Sequence, residues 1–198
     1  MRIAAIIDEL NRSLGLLQSL VIYRRPGRQR ALRRLYGEFI RPGDLVLDIG
    51  AHLGDRSSAF AALGAQVVAL EPQPQLLRWL RRLTRRQPGI VCLPLAVGRA
   101  PGEAELALSL RNPTVASLDS RWREQLRSTT AGFRHVRWED SITVKVTTLD
   151  ELIGQYGRPS FCKIDVEGFE VEVLAGLSQP LPALSFEFVN GTLEQALQ

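Results

Sequence analysis

Apolar residues recur at helical spacing from the start of the chain. Ile3, Ile6, Ile7, Leu10, Leu14, Leu17 and Val21 fall on one face and predict an amphipathic helix over 3–22. A helix of this kind packs on its own domain or on a second subunit, or it rests on a membrane surface. The basic stretch YRRPGRQR (23–30) reads as a linker. A second helix is expected over 31–40, stopped by Pro42 and Gly43.

The rhythm changes at Asp44. LVLDIG (45–50) is a short apolar run suited to a strand buried on both faces. A helix over 55–63 closes at Gly64, and QVVALE (66–71) reads as a second strand. A helix over 74–84 and a third strand, IVCLPLAV (90–97), follow. Strand and helix alternate with short connections, the signature of a doubly wound, mostly parallel α/β sheet with helices on both faces.

Residues 99–147 break the alternation. EAELALSL (103–110) and ITVKVTTL (142–149) alternate apolar and polar and could pair as an antiparallel excursion. The polar, weakly patterned segment between them suits a substrate loop. Thr148 and Glu151 have capping-box spacing and open a helix to Tyr156. FCKIDVEG (161–168) is a fourth core strand and its turn, 169–177 a helix, and ALSFEF (183–188) a fifth core strand. The natural division is therefore an N-terminal helical extension and basic linker over 1–43, then a ligand-binding domain over 44–198.

A chain of 198 residues, 45% hydrophobic and 23% charged, is long enough for one globular domain with a sizeable core. Its basic residues are 23 Arg and only 2 Lys, Lys145 and Lys163. That bias, without an aromatic-interleaved basic patch, points to a GC-rich bacterial genome before it points to a polyanion surface. RWLRRLTRR (78–86) keeps a nucleic-acid methyltransferase or binder as the alternative. However, Leu76, Leu77, Leu80 and Leu83 on one face and Arg on the other make an ordinary solvated helix, so nucleic acid is not the expected partner. Cys92 and Cys162 sit in apolar runs without metal spacing and suit buried thiols in a reducing compartment. No apolar run reaches ~18 residues. Asp8 and Glu9 interrupt the N-terminal stretch where a signal peptide must stay apolar, so the cytoplasm is expected.

The informative turn is DIGAHLG (48–54). In an open parallel sheet, ligands bind beyond the carboxyl ends of the strands where strand order reverses, and the first strand-to-helix turn sits there. Gly50 permits a tight bend, and Gly54 a close approach of helix and strand. The spacing departs from the dinucleotide fingerprint, and His52 occupies the place of a middle glycine. Asp48 repels a phosphate but welcomes a cationic or amino-bearing ligand. Glu71, at the end of the second strand, can accept both hydroxyls of a ribose. An ammonium, a ribose and no phosphate describe S-adenosylmethionine, with Asp48 anchoring the turn and the amino-acid end.

Six segments, DIGAHLG (48–54), EPQP (71–74), LAVG (95–98), TLDEL (148–152), KIDVEGFE (163–170) and SFEF (185–188), resemble in order and spacing the FkbM family of S-adenosylmethionine-dependent methyltransferases. The resemblance implies a class I methyltransferase (Rossmann-like) fold. It also implies methyl transfer to oxygen, on a small-molecule, sugar or glycan hydroxyl. It implies cofactor contacts at Asp48, Gly50, Ala51, His52, Gly54, Glu71, Pro72, Ala96 and Asp165. The family usually carries Asn at the place of His52, and its sheet usually continues past the fifth strand into a hairpin that this sequence is expected to lack. A truncated, inactive relative is thus a further alternative.

Asp165 and Glu167 are the candidate catalytic residues. Asp165 is expected to face the pocket, and Glu167 either acts as general base or caps the next helix. Lys163 shares a face with Asp165 as a rim pair or as charge compensation. Asp165 and Glu187 could hold a divalent metal, but two carboxylates are a thin donor set and no metal is expected. His52 could be a base or a packing residue of the turn.

Overall fold

A computed structural model describes residues 15–17, 19–23, 25–109, 112, 115–120, 122–124 and 136–187. The expected helical positions before residue 15, His135 and the residues after Glu187 lie outside these. Five strands, β1 (Leu45–Ile49), β2 (Gln66–Leu70), β3 (Ile90–Leu93), β7 (Phe161–Ile164) and β8 (Leu184–Phe186), form one sheet in the order β3-β2-β1-β7-β8. Every pairing in it is parallel. Strand order reverses between β1 and β7, which makes a crevice at their carboxyl ends.

Both faces of this sheet are covered, as its uninterrupted apolar strands require. Along β1, Val46 faces one cluster and Leu47 and Ile49 the other. Helices α2 (Arg28–Tyr36), α3 (Asp55–Ala62) and α4 (Pro74–Thr84) bring Tyr36, Phe60, Leu77 and Leu80 to the first face. There Tyr36 meets Phe60 edge-on with ring centres 4.7 Å apart. Helices α5 (Leu149–Tyr156) and α6 (Glu170–Leu174) bring Leu149, Leu152 and Val173 to the second.

Segment α1, helical at residues 15–17 and 19–23, packs on the domain. Leu16, Leu20 and Tyr23 lie against Leu53, Leu76, Trp79 and Leu83. Arg28 and Gln29 then fasten α2 to the start of α3. Arg28 Nε donates to Asp55 Oδ2 at 2.7 Å, and Gln29 Nε2 to the Asp55 carbonyl at 2.8 Å. The arginines of α4 also serve their own domain: Arg81 donates to the Cys92 carbonyl, and Arg82 lies over the Trp79 ring. No helix of the described residues is long and apolar enough to cross a membrane.

The excursion pairs as expected. Strand β5 (Gly102–Leu108) runs antiparallel to β6 (Asp140–Thr147). The third strand differs from expectation, because IVCLPLAV is two strands. Pro94 has no N–H for a ladder, so the chain leaves the main sheet after Leu93. It re-enters as β4 (Ala96–Val97), parallel to β6 in a second sheet of order β4-β6-β5. Helix α2 begins at Arg28 and ends at Tyr36, earlier at both ends than expected, after a left-handed Gly27 (φ +82°). Helix α6 keeps five residues of the expected 169–177.

At α5 the capping box is complete. Thr148 Oγ1 accepts from the Glu151 N–H at 3.1 Å, and Glu151 Oε2 accepts from the Thr148 N–H at 3.3 Å. Thr148→Ala is expected to lower unfolding stability by about 1 kcal/mol, read by urea denaturation.

Candidate functional site

The turn after β1 is shaped by contact with its neighbours. Gly50 has φ +73°, and a Cβ there would stand 1.9 Å from the Asp165 carbonyl oxygen. Only glycine lets the ends of β1 and β7 touch in this way. Gly54 is needed for a different contact: its Cβ would strike Leu80 of α4 at 2.4 Å. The close approach expected between helix and strand is therefore one between this turn and α4. Ala51 is buried and donates its N–H to the Leu70 carbonyl, which ties the turn to β2.

Glu71, 3% exposed at the end of β2, holds two loops. Its Oε2 accepts from the His52 N–H and its Oε1 from the Gln73 N–H, each at 2.9 Å. Burial outweighs these bonds and pushes its pKa up to about 7.

Beneath the turn lies a buried cation. Lys163 Nζ, 3.2 Å from Asp48 Oδ1 and 3.4 Å from Asp165 Oδ2, also donates to the Ile49 and Gly50 carbonyls at 3.1 and 2.7 Å. Burial disfavours its charge, but the Asp48 and Asp165 carboxylates outweigh burial and hold its pKa above the usual lysine value. Asp48 has no exposed surface and also accepts from Ser57 Oγ. It supports the turn from behind and does not reach the pocket where the amino-acid end of a cofactor was expected.

The other end of the crevice is acidic. Asp165 follows β7, with Arg56 Nη1 3.7 Å from its Oδ2. Burial raises its pKa, but Lys163 and then Arg56 outweigh burial and leave it below the usual range. Glu187 is raised, first by the Asp165 charge and then by burial. Glu167 adopts a left-handed conformation (φ +54°), uncommon for a residue with a side chain. Burial, then Asp165, Glu187 and Glu170, raise its pKa to about 9. The helix cap considered for Glu167 is made by Glu170, whose Oε1 accepts from the Val166 and Gly168 N–H groups.

These ends share one cleft. Gly50, His52, Glu71, Pro72, Ala96, Asp165 and Glu167 line it; Asp48, Ala51 and Gly54 stand behind it. His52 is the second non-glycine residue with positive φ (+52°) among the described residues. Both such residues line this cleft, where backbone strain commonly serves function. Neither His52 ring nitrogen has a hydrogen-bond partner, and burial, then Lys163, lowers its pKa to about 4. A neutral imidazole with two unmet polar atoms invites a ligand.

Sequence reasoning missed two contributors. Tyr23, read as linker, lines the cleft and meets His52 edge-on with ring centres 5.3 Å apart. The signal was its spacing from Leu16 and Leu20, which continues the apolar face of α1. Arg56 was given no role and faces Asp165. The excursion supplies Leu106, Ala116 and Leu118 to the wall. Its Trp122 packs on Gly168 so closely that a Cβ there would lie 2.1 Å from the indole.

A doubly wound sheet with this glycine turn at its switch point is a Rossmann-like α/β fold of the class I methyltransferase type. The structure of precorrin-6y C5,15-methyltransferase from Geobacter metallireducens shares the fold, with TM-score 0.50 and 12% identity over 88% of this chain and 69% of that one. The family model of the methyltransferase FkbM domain matches residues 48–189, and the chain belongs to that family. Hexuronic acid methyltransferase AglP of Haloferax volcanii is 30% identical over 166 residues, 83% of this chain. The match spans 62% of that relative's length.

Two outcomes follow from this electrostatic layout. Lys163→Met leaves Asp48 buried without its cation and is expected to cost about 3–5 kcal/mol in urea denaturation. Pairing it with Asp48→Asn should recover part of the loss. Glu167 is neutral in the fold up to about pH 9, whereas in the unfolded chain it ionises near 4.5. The folded protein binds the extra proton in that window, so this group's contribution to stability falls as pH rises from 4.5 to about 9. Glu167→Gln is expected to flatten that decline in thermal unfolding across the same pH range.

Proposed function

We propose that the protein is an S-adenosylmethionine-dependent O-methyltransferase whose acceptor is a sugar or glycan hydroxyl. The observation that carries this reading is one cleft pairing a close-approach glycine and a strand-end carboxylate with a cluster of carboxyls opposite. The sugar acceptor draws support from the name of the Haloferax relative, and the cofactor from family membership together with the cleft.

The residues present fit the cofactor. Gly50 lines the cleft with no side chain to fill it, the His52 nitrogens lack partners, and Glu71 lines the cleft from the end of β2. Gly50, His52, Glu71, Pro72, Ala96 and Asp165 would hold it, and Asp48, Ala51 and Gly54 would keep the turn in shape behind them. Bound there, the sulfonium supplies an electrophilic methyl group. Glu71 retains lone pairs to accept the ribose hydroxyls while its backbone bonds keep it oriented. Leu95, Ala96 and Val97 make an apolar wall, and Leu106, Ala116 and Leu118 help exclude water. Asp165, held by Lys163 and Arg56, orients the acceptor hydroxyl for in-line attack. Two free thiols, with Cys162 buried, support the cytoplasm as its location.

Calorimetric titration with S-adenosylmethionine, S-adenosylhomocysteine and NAD tests the reading. The first two should bind and NAD should not. Glu71→Ala should weaken both by about 10- to 100-fold, the worth of hydrogen bonds to a charged acceptor. Binding of NAD alone, or unchanged affinity in Glu71→Ala, would overturn it.

A further inference from the structure

The structure pairs two carboxyl groups that the proposed function leaves unexplained. In the β7–β8 register Ile164 stands beside Phe186, and the Glu187 N–H donates to the Ile164 carbonyl. Asp165 and Glu187 therefore emerge side by side from neighbouring strand ends, and each carboxyl feels the charge of the other. Two neighbouring carboxylates repel, which favours a single proton held between them. Lys163 and Arg56, at 3.4 and 3.7 Å, lie against Asp165 and favour its charge over that of Glu187. Asp165 lines the cleft, whereas Glu187 is not among its lining residues.

We propose that Asp165 and Glu187 form a proton-sharing pair whose doubly ionised form is the general base for the methyl acceptor. Asp165 is the member that meets the acceptor. Glu187 acts through it as a positioning residue and proton store. This rests on the methyltransferase reading above. In the step, the acceptor O–H bond breaks as its oxygen forms the new carbon–oxygen bond. The proton passes to Asp165 and is shared with Glu187. The electron pair of the broken carbon–sulfur bond leaves with sulfur, so the positive charge lost there matches the negative charge neutralised on the pair.

Two carboxyls in contact titrate in two steps that belong to the pair, one pushed down and one up. A base gains by an upper step close to the working pH. Lys163 from β7 and Arg56 from α3 favour the doubly ionised form. Among the described residues, Glu167, neutral in the fold, Glu170, His52 and Tyr23 are further titratable groups around Asp165. Neutral Glu167 spares the pair a third negative charge.

Carbon NMR of labelled side-chain carboxyls in the ligand-free protein tests the pair independently of turnover. Asp165 should titrate in two steps in the wild type and in one low step in Glu187→Gln, with the thermal transition of that variant confirming its fold. With cofactor and acceptor, kcat/KM should rise with pH through the upper step. In Glu187→Gln that limb should move to acid pH, and the plateau should fall by about 10- to 100-fold, toward the low end of general-base contributions. A single Asp165 step that ignores Glu187→Gln, or an unmoved pH limb, overturns the pair. Calorimetric failure to bind S-adenosylmethionine overturns the methyltransferase reading instead, whatever the carboxyls do.

Discussion

One buried ammonium holds the crevice together. Lys163 Nζ is bound to the Ile49 and Gly50 carbonyls and lies against Asp48 and Asp165. It rises from the strand beside β1, where Asp48 and Lys163 are register partners. A charge taken so far from water is tolerated only with such compensation. Through it the glycine turn, the end of β7 and the acidic side of the cleft form one electrostatic unit. Moving any one of them would expose an unpaired charge.

The same unit explains why backbone strain gathers here. Gly50 must bend tightly because the Asp165 carbonyl occupies the space of a side chain. His52 and Glu167 take left-handed conformations on opposite sides of that contact. His52 is fixed by its N–H bond to Glu71, and Glu167 by its carbonyl, which accepts from Ser117 Oγ. Bonds from outside each turn thus hold strained residues in place. Ser117 belongs to the excursion, so the excursion contributes to the shape of the turn after β7 as well as covering it.

The acidic groups divide by environment. Asp165 keeps its charge because cations face it, Glu167 loses its charge because burial and neighbouring carboxylates disfavour it, and Glu170 is spent on backbone N–H groups. Three carboxyls within a few residues of the end of β7 thus have different environments and different tasks. Tyr23 shows the same dependence on place: α1 carries it onto His52, beside a cleft built otherwise from the sheet domain.

Much of this was legible in the chain. Alternating strands and helices dictated the doubly wound sheet, because uninterrupted apolar runs have to be covered on both faces. The positions of Glu71 and Asp165 at strand ends followed from the same alternation, as did the capping box at Thr148. What sequence could not supply were contacts between distant segments. Local pattern ran IVCLPLAV together, although Pro94 hands its second half to another sheet. It gave Asp48 a ligand that Lys163 and Ser57 replace, and it left Tyr23 and Arg56 without roles. Periodicity reports which face a residue occupies. Which charge lies across from it, and therefore which carboxyl is ionised, depends on strand register and burial, and only the tertiary structure decides those.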